Sequence, residues 1–292
     1  MRKIIYITLL ALLSGCGIYK PYSRPGTELP EQYRDINTDD TTTLAALPWK
    51  ELFTDEHLQT LIETGLQQNT DLQVARLRVK EADALLLNAR LSYLPALSLS
   101  PEGGISSYNG TTSKTYNLAA SANWELDIFG KTTNAKRGAK AALLGSREYA
   151  QAVQTQLIAN IAGKYYTLLM LDRQLEIGEE TLQSWEKSIK VLEALKASGK
   201  ANDAAVLQAR ANRMTLESSV LTLRKNITDT ENALSVLLAL SPQEIERGRI
   251  ADVRFPDELK VGVPAQLLSN RPDVRQAEQN LAQAFYATNA AR

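Results

Sequence analysis

Apolar residues recur at seven-residue intervals through the middle of the chain, on both sides of Gly199. Before that glycine, Leu168, Leu175, Leu182 and Ile189 form one row, and Leu171, Gly178, Trp185 and Leu192 form a second. Two such rows make the a and d seam of a coiled coil. After it, Val206, Arg213, Val220, Ile227 and Leu234 make one row and Ala209, Leu216, Leu223, Thr230 and Leu237 the other, with Arg213 and Thr230 as polar breaks. No proline occurs between Pro101 and Pro242, so nothing of that kind interrupts a helix. The pattern predicts two long helices folded back on each other between Thr132 and Leu240. In the connection, Gly199 can take a positive φ at a helix end and Asn202 is suited to cap the next helix. At about 1.5 Å per residue, an arm from Thr132 to Ser198 is roughly 100 Å long, so it reaches across a space instead of packing a compact core.

The period changes to two between Lys114 and Phe129. Tyr116, Leu118, Ala120, Ala122, Trp124, Leu126 and Ile128 alternate with a polar set that includes Asn117, Ser121, Asn123, Glu125 and Asp127. Upstream, Leu97, Leu99 and Ile105 alternate with Ser98, Ser100 and Ser106, and Asn109-Gly-Thr-Thr-Ser113 offers a polar loop. These stretches predict a β-hairpin over 95–129 with one apolar and one polar face. Tyr93, Tyr108, Tyr116 and Trp124 are placed as interfacial aromatics, and about 9–11 residues of tilted strand cross a membrane. The same alternation also fits a half-buried soluble hairpin; the export leader described next and the very long helices favour a membrane. Asn117, Ser121, Asn123, Glu125 and Asp127 are then the pore-facing candidates. Two strands cannot close a barrel, so the hairpin edges must be paired by other copies or by further sequence.

The N-terminus has Arg2 and Lys3, an apolar run from Ile4 to Leu13, and then Ser14-Gly15-Cys16. This reads as a secretory signal over 1–15. Leu13-Ser14-Gly15-Cys16 resembles a bacterial lipobox, which implies cleavage before Cys16 and its acylation. Cys16 is the only cysteine in the chain, which rules out an internal disulfide and suits a lipid anchor. Gly17 in place of aspartate implies onward transport to the outer membrane. A plain signal peptide that happens to contain a cysteine is the alternative. Ile18 to Pro48 is polar and holds Pro21, Pro25 and Pro30, which predicts an extended tether. A helix is expected over Asp55 to Gln68, and a second from about Thr70 to Leu91 carrying Ala75, Ala82 and Ala89 at seven-residue spacing before Pro95 stops it.

Charge and chemistry narrow the function by exclusion. The chain has 33 basic and 33 acidic residues, which argues against a nucleic-acid footprint. His57 is the only histidine, and with no cysteine nearby it cannot build a metal site. There is no glycine-rich phosphate loop and no Ser/His/Asp set, so no catalytic residue, cofactor or metal is expected. Glu125 and Asp127 are close enough in sequence to suggest acid–base work, but a solvated strand face accounts for them better.

At Trp124-Glu-Leu-Asp-Ile-Phe-Gly-Lys131 the sequence resembles the TolC-like outer-membrane efflux factors, in their lipid-anchored, NodT-type branch. Leu47-Pro-Trp-Lys-Glu-Leu-Phe53, Asn69-Thr-Asp-Leu72, Asn232-Ala-Leu-Ser-Val-Leu-Leu238 and Leu268-Ser-Asn-Arg-Pro-Asp-Val274 agree in order. The resemblance implies an α+β membrane protein in which a long antiparallel coiled-coil hairpin joins a transmembrane β-hairpin. In full-length relatives, three protomers share a β-barrel and an α-barrel. It implies a passive exit duct for drugs, metals or other small molecules, a homotrimer set in outer-membrane lipid. An inner-membrane transporter feeds it through a periplasmic adaptor, a membrane fusion protein, that docks on the helical tips. Gly199, Lys200, Ala201 and Asn202 occupy such a tip.

Arg271 to Arg292 overlays Asn69 to Arg90 at a constant offset of 202. Family members consist of two such repeats, so the sequence is expected to be cut early in the second, where the family's gating acids lie. The expected division is a signal peptide over 1–15, an anchored tether over 16–54 and a helical pair over 55–94. The β-hairpin over 95–129 and the helical hairpin over 130–240 follow, with the tip at 199–202. A linker over 241–270 and the start of a second repeat over 271–292 complete it. A pore-less, lipid-anchored periplasmic coiled-coil scaffold, or a nonfunctional remnant, is the competing expectation.

Overall fold

A computed structural model describes residues 21–26, 47–254 and 267–291. The signal peptide, Cys16 and most of the tether lie outside the described residues. Helices α1 (Trp49–Leu52), α2 (Glu56–Gln68) and α3 (Thr70–Leu91) precede strands β1 (Ala96–Tyr108) and β2 (Thr111–Asn123). Helices α4 (Lys131–Ala197) and α5 (Asp203–Leu237) follow, then a 3-10 turn at Ile250–Asp252, α6 (Leu267–Asn270) and α7 (Pro272–Ala291). The chain divides into two compact units. One combines Met1–Glu31, Ala75–Ala150 and Pro264–Arg292, and the other combines Gln32–Val74 and Gln151–Val263.

The second unit holds the helical hairpin. Its core gathers Leu58 and Ile62 of α2, Leu157, Ile161, Tyr165 and Leu168 of α4, and Leu234 of α5, with Leu238 and Ile245 following α5. Asp55 caps α2 by accepting the Leu58 amide at 3.1 Å on one oxygen. Its other oxygen accepts the Tyr165 hydroxyl at 2.7 Å, and the Gly248 amide donates to that same hydroxyl at 3.1 Å. A fully buried phenol thus has both its donor and its acceptor satisfied. Burial, with Asp55 beside it, pushes the Tyr165 phenol up, so it stays protonated. Asn69 joins α3 to the hairpin: it caps the Leu72 amide at 2.9 Å and donates to the Leu237 carbonyl at 2.9 Å.

The seam expected from the heptads is the buried stripe. Leu168, Leu171, Gly178, Val206, Ala209, Val220, Ile227 and Leu234 are buried, and the remaining seam positions, Arg213 and Thr230 included, are partly covered. At the tip, Gly199 adopts φ +74°. The Lys200 amide reaches the Leu195 carbonyl at 2.8 Å and the Gly199 amide reaches that of Lys196 at 2.9 Å. This is the Schellman arrangement, which satisfies carbonyls at the end of α4. Asn202 then caps α5, accepting the Ala205 amide at 3.0 Å. Asn202→Ala is expected to cost about 1 kcal/mol. The check is amide exchange over Asp203–Val206, which should quicken while the core stays protected.

In the first unit, α7 lies across from α4 where the latter has glycine. A Cβ on Gly138 would come within 3.6 Å of Tyr286, and one on Gly145 within 3.4 Å of Gln279 and Asn280. The order is reversed along the two helices, so they run antiparallel. Arg275 pairs with the partly buried Glu148. As the offset of 202 implies, α7 begins at the position that corresponds to the first residue of α3.

β1 and β2 form a two-stranded antiparallel ribbon in which Ala96 pairs with Asn123 and Tyr108 with Thr111. The turn is the two residues Asn109 and Gly110, with φ of +48° and +77°. Positive φ at both positions is the type I′ turn that matches strand twist. The expected longer loop therefore shrinks, and Thr111, Thr112 and Ser113 belong to β2. The ribbon also ends earlier than the alternation suggested, because residues past Asn123 would need partners in the stretch where Pro95 offers no amide.

Candidate functional site

Three surfaces carry the functional information. The first is the ribbon, every residue of which is exposed. The register puts Leu97 opposite Ala122, Leu99 opposite Ala120, Pro101 opposite Leu118 and Gly103 opposite Tyr116. Directly opposed residues share a face, so these make one apolar surface. Leu97 is 81% exposed and Tyr116 83%. The other face pairs Ser98 with Ser121 and Glu102 with Asn117, and the two serine hydroxyls lie 2.7 Å apart. Asn117, Ser121 and Asn123 therefore lie together on a polar face.

Glu125 and Asp127 do not lie on the strand. Asp127 accepts the amides of Thr132 and Thr133 at 2.9 and 2.8 Å and the Thr133 hydroxyl at 2.5 Å. It thus satisfies orphan donors at the start of α4. Burial alone would raise its carboxyl, but the Thr133 and Thr132 hydrogen bonds outweigh this and hold it below the ordinary value. A depressed carboxylate stabilises the folded state above its unfolded pKa, and that contribution fades as pH falls towards the folded value. Glu125 pairs with Lys131 at 2.9 Å. Nearby, the Trp124 indole donates to the Tyr93 carbonyl at 3.1 Å and the Tyr93 hydroxyl lies 2.9 Å from that of Thr133. The residues after β2 thus form a knot at the ribbon base.

The second surface is the pair of edges flanking the hairpin seam. On α4, Asp172, Glu179, Glu186 and Glu193 stand seven apart beside the seam, and each meets an arginine. Glu193 pairs with Arg210 at 2.5 Å, Glu186 with Arg213 at 3.1 Å, Glu179 with Arg224 at 2.6 Å and Asp172 with Arg247 at 2.5 Å. The register set by Glu193–Arg210 and Glu179–Arg224 leaves Glu186 level with Glu217 and Asp172 level with Glu231. Each acid pair is bridged by one arginine: Arg213 binds Glu186 and Glu217, and Arg247 binds Asp172 and Glu231. The seam's polar break at Arg213 is thus a bridge. The opposite edge carries uncharged Gln174, Thr181 and Ser188 against Asn212, Ser219 and Asn226.

Each edge also carries a second apolar row that nothing covers among the described residues. Leu207, Met214 and Leu221 on α5, seven apart, are 62 to 67% exposed and border the charged edge. Met170, Ile177 and Val191 on α4 are 43 to 59% exposed and border the neutral edge. A groove of about 390 Å³ runs along the charged edge between Glu186, Ile189, Arg210 and Met214.

The third surface is the tip. Gly199, Lys200 and Asn202 are exposed and Ala201 is half-covered, with the Asn202 side chain engaged in its cap. Among the described residues no cluster of His, Cys, Asp and Glu could hold a metal ion. No helix there is long and apolar enough to cross a membrane.

The family model for outer membrane efflux proteins matches residues 61–240. The probable outer membrane lipoprotein SilC of Salmonella typhimurium is 30% identical over 305 residues, covering 99% of this chain and 65% of that protein. The toluene efflux pump outer membrane protein TtgF of Pseudomonas putida is 31% identical over 321 residues, covering 98% and 63%. The open state of the Neisseria gonorrhoeae MtrE outer membrane channel superposes with a TM-score of 0.81 at 25% identity, over 94% of this chain and 62% of that one. The chain spans about 65% of the length of the first curated relatives it matches.

Proposed function

Because the chain belongs to the outer membrane efflux protein family, we propose that it is a lipid-anchored component of an outer-membrane exit channel. In this reading it acts as a passive conduit and catalyses no reaction. The observation that carries the proposal is the fully exposed ribbon with one apolar face, set just before a 67-residue helix. In water such a face is an unpartnered patch, whereas in a bilayer it meets lipid. The polar face with Asn117, Ser121 and Asn123 then lines the lumen. Cys16 serves as the lipid anchor, a role supported by the lipoprotein description of SilC.

The two edges of the hairpin support assembly. Their uncovered rows come from different arms, so α4 of one copy can pack its Met170–Ile177–Val191 row on the Leu207–Met214–Leu221 row of α5 in the next. A contact between two different surfaces repeats around a ring. Three copies match the family's trimer. A periplasmic adaptor docking at Gly199 to Asn202, and an inner-membrane transporter behind it, complete the pump. The cargo belongs to the drug, solvent or metal-ion classes.

The test is reconstitution of the purified, acylated protein in planar bilayers, where discrete conductance steps are expected. Met214→Lys places a charge in the ring contact and should reduce the oligomer at least tenfold in native mass spectrometry while the helical content is kept. A persistent oligomer would sink the ring contact, and the absence of conductance from an intact oligomer would sink the channel.

A further inference from the structure

Residues 21–26 of the tether lie against α7. The Tyr22 ring packs edge-on against Phe285 with centroids 5.8 Å apart. Arg24 pairs with Glu278 at 2.9 Å. Phe285 and Glu278 stand seven apart and so lie on one face of α7. Pro25 restricts Arg24 to extended backbone, which carries the segment along the helix. The direction is informative: the residue nearer Cys16 meets the residue nearer the C-terminal end of α7, so the tether runs antiparallel to the helix.

We propose that Pro21–Gly26 is a strap that seats the lipid-anchored N-terminus on α7 and thereby fixes that helix at a set depth below the membrane surface. The inference rests on the lipid-anchor reading of Cys16. Two rulers bound that depth. From Cys16 to Tyr22 an extended chain spans at most about 20 Å. In the repeat, Phe285 corresponds to Asp83 of α3. From Asp83 to Leu91 is about 12 Å of helix, and the few residues before β1 add at most about 15 Å. The first puts the Phe285 level no more than about 20 Å from the bilayer surface and the second puts it roughly 12 to 27 Å away, so the two overlap at about 12 to 20 Å. The strap therefore joins the second repeat to the lipid directly, without passing through the first β-hairpin.

The experiment uses the full chain in native membranes. Mass measurement of the N-terminal peptide first establishes whether Cys16 is acylated. An unmodified cysteine overturns the lipid-anchor premise and the depth claim with it, while the exchange measurement still judges the seat on α7. Hydrogen exchange is then followed over residues 278–291. Arg24→Glu combined with Tyr22→Ala should raise exchange there at least tenfold. In the single-site series, the loss caused by Arg24→Glu should be reversed by Glu278→Arg in the same chain. Unchanged exchange with Cys16 acylated overturns the strap. Depth is read by energy transfer from a dye on Ala284→Cys to headgroup-labelled lipid. A separation near 20 Å supports the proposal, and one beyond 40 Å overturns it.

Discussion

Replacing Arg247 with methionine is expected to destabilise the helical hairpin by about 3 to 5 kcal/mol, the usual cost of leaving a buried charge without its partner. The guanidinium donates to both carboxylate oxygens of Asp172, at 2.5 and 3.0 Å, and to Glu231 at 2.6 Å and the Ile245 carbonyl at 2.8 Å. The Arg247 and Glu231 side chains are only 14 and 12% exposed. The Asp172 hydrogen bond more than offsets the effect of burial and pushes the guanidinium above its already high pKa, so it stays charged. Methionine preserves the stem and removes the charge, which leaves the buried Glu231 carboxylate facing the partly exposed Asp172 with no cation between them. Urea unfolding followed by tryptophan fluorescence measures the loss. Adding Asp172→Leu and Glu231→Met should recover most of it, because an apolar set of similar volume has no charge to desolvate. A loss below about 1 kcal/mol for Arg247→Met would show that water reaches the cluster.

The second large effect concerns the faces of the ribbon. Leu118→Arg places a cation on the apolar face, opposite Pro101 and well inside the strand. Arginine near the middle of a lipid-facing strand costs about 2 to 4 kcal/mol. Insertion should therefore drop by roughly 30-fold or more. Ser121→Arg lies on the polar face beside Ser98 and should insert normally while changing conductance. Both variants are best compared in a Cys16→Ala background, where the lipid anchor cannot retain an uninserted chain, by measuring the fraction that resists carbonate extraction. Equal insertion of the two would overturn the assignment of faces.

The long helices were legible because their periods are regular and uninterrupted, and the cap at Asn202 and the turn at Gly199 followed from local chemistry. The alternation of the ribbon was legible too, but its end was not. Strand length depends on a partner, and the apolar residues Trp124, Leu126 and Ile128 kept the alternation going after the partner had stopped. Asp127 shows the same conflict in one residue: spacing put it on a strand face, whereas the unsatisfied amides of α4 claimed its oxygens. A signal was present in Asp127 itself, an acid just ahead of the helix start, where a carboxylate suits the orphan amides. The charged edge could also have been seen, since an acid stands at every seventh position from Asp172. Its completion could not, because Arg247 lies in an aperiodic linker and its partners are 16 and 75 residues away.

That remote arginine is expected to set an order of events during biogenesis. A chain that is exported from its N-terminus delivers both arms of the hairpin before Arg247. Until then, Asp172 and Glu231 confront each other with no cation between them, while Glu186 and Glu217 already have Arg213 from within the hairpin. The tip half can therefore zip as soon as it emerges, whereas the base is expected to close later. Closure of the hairpin is then expected to run from the tip towards the base, so that in pulsed hydrogen exchange the start of α5 should gain protection before its end.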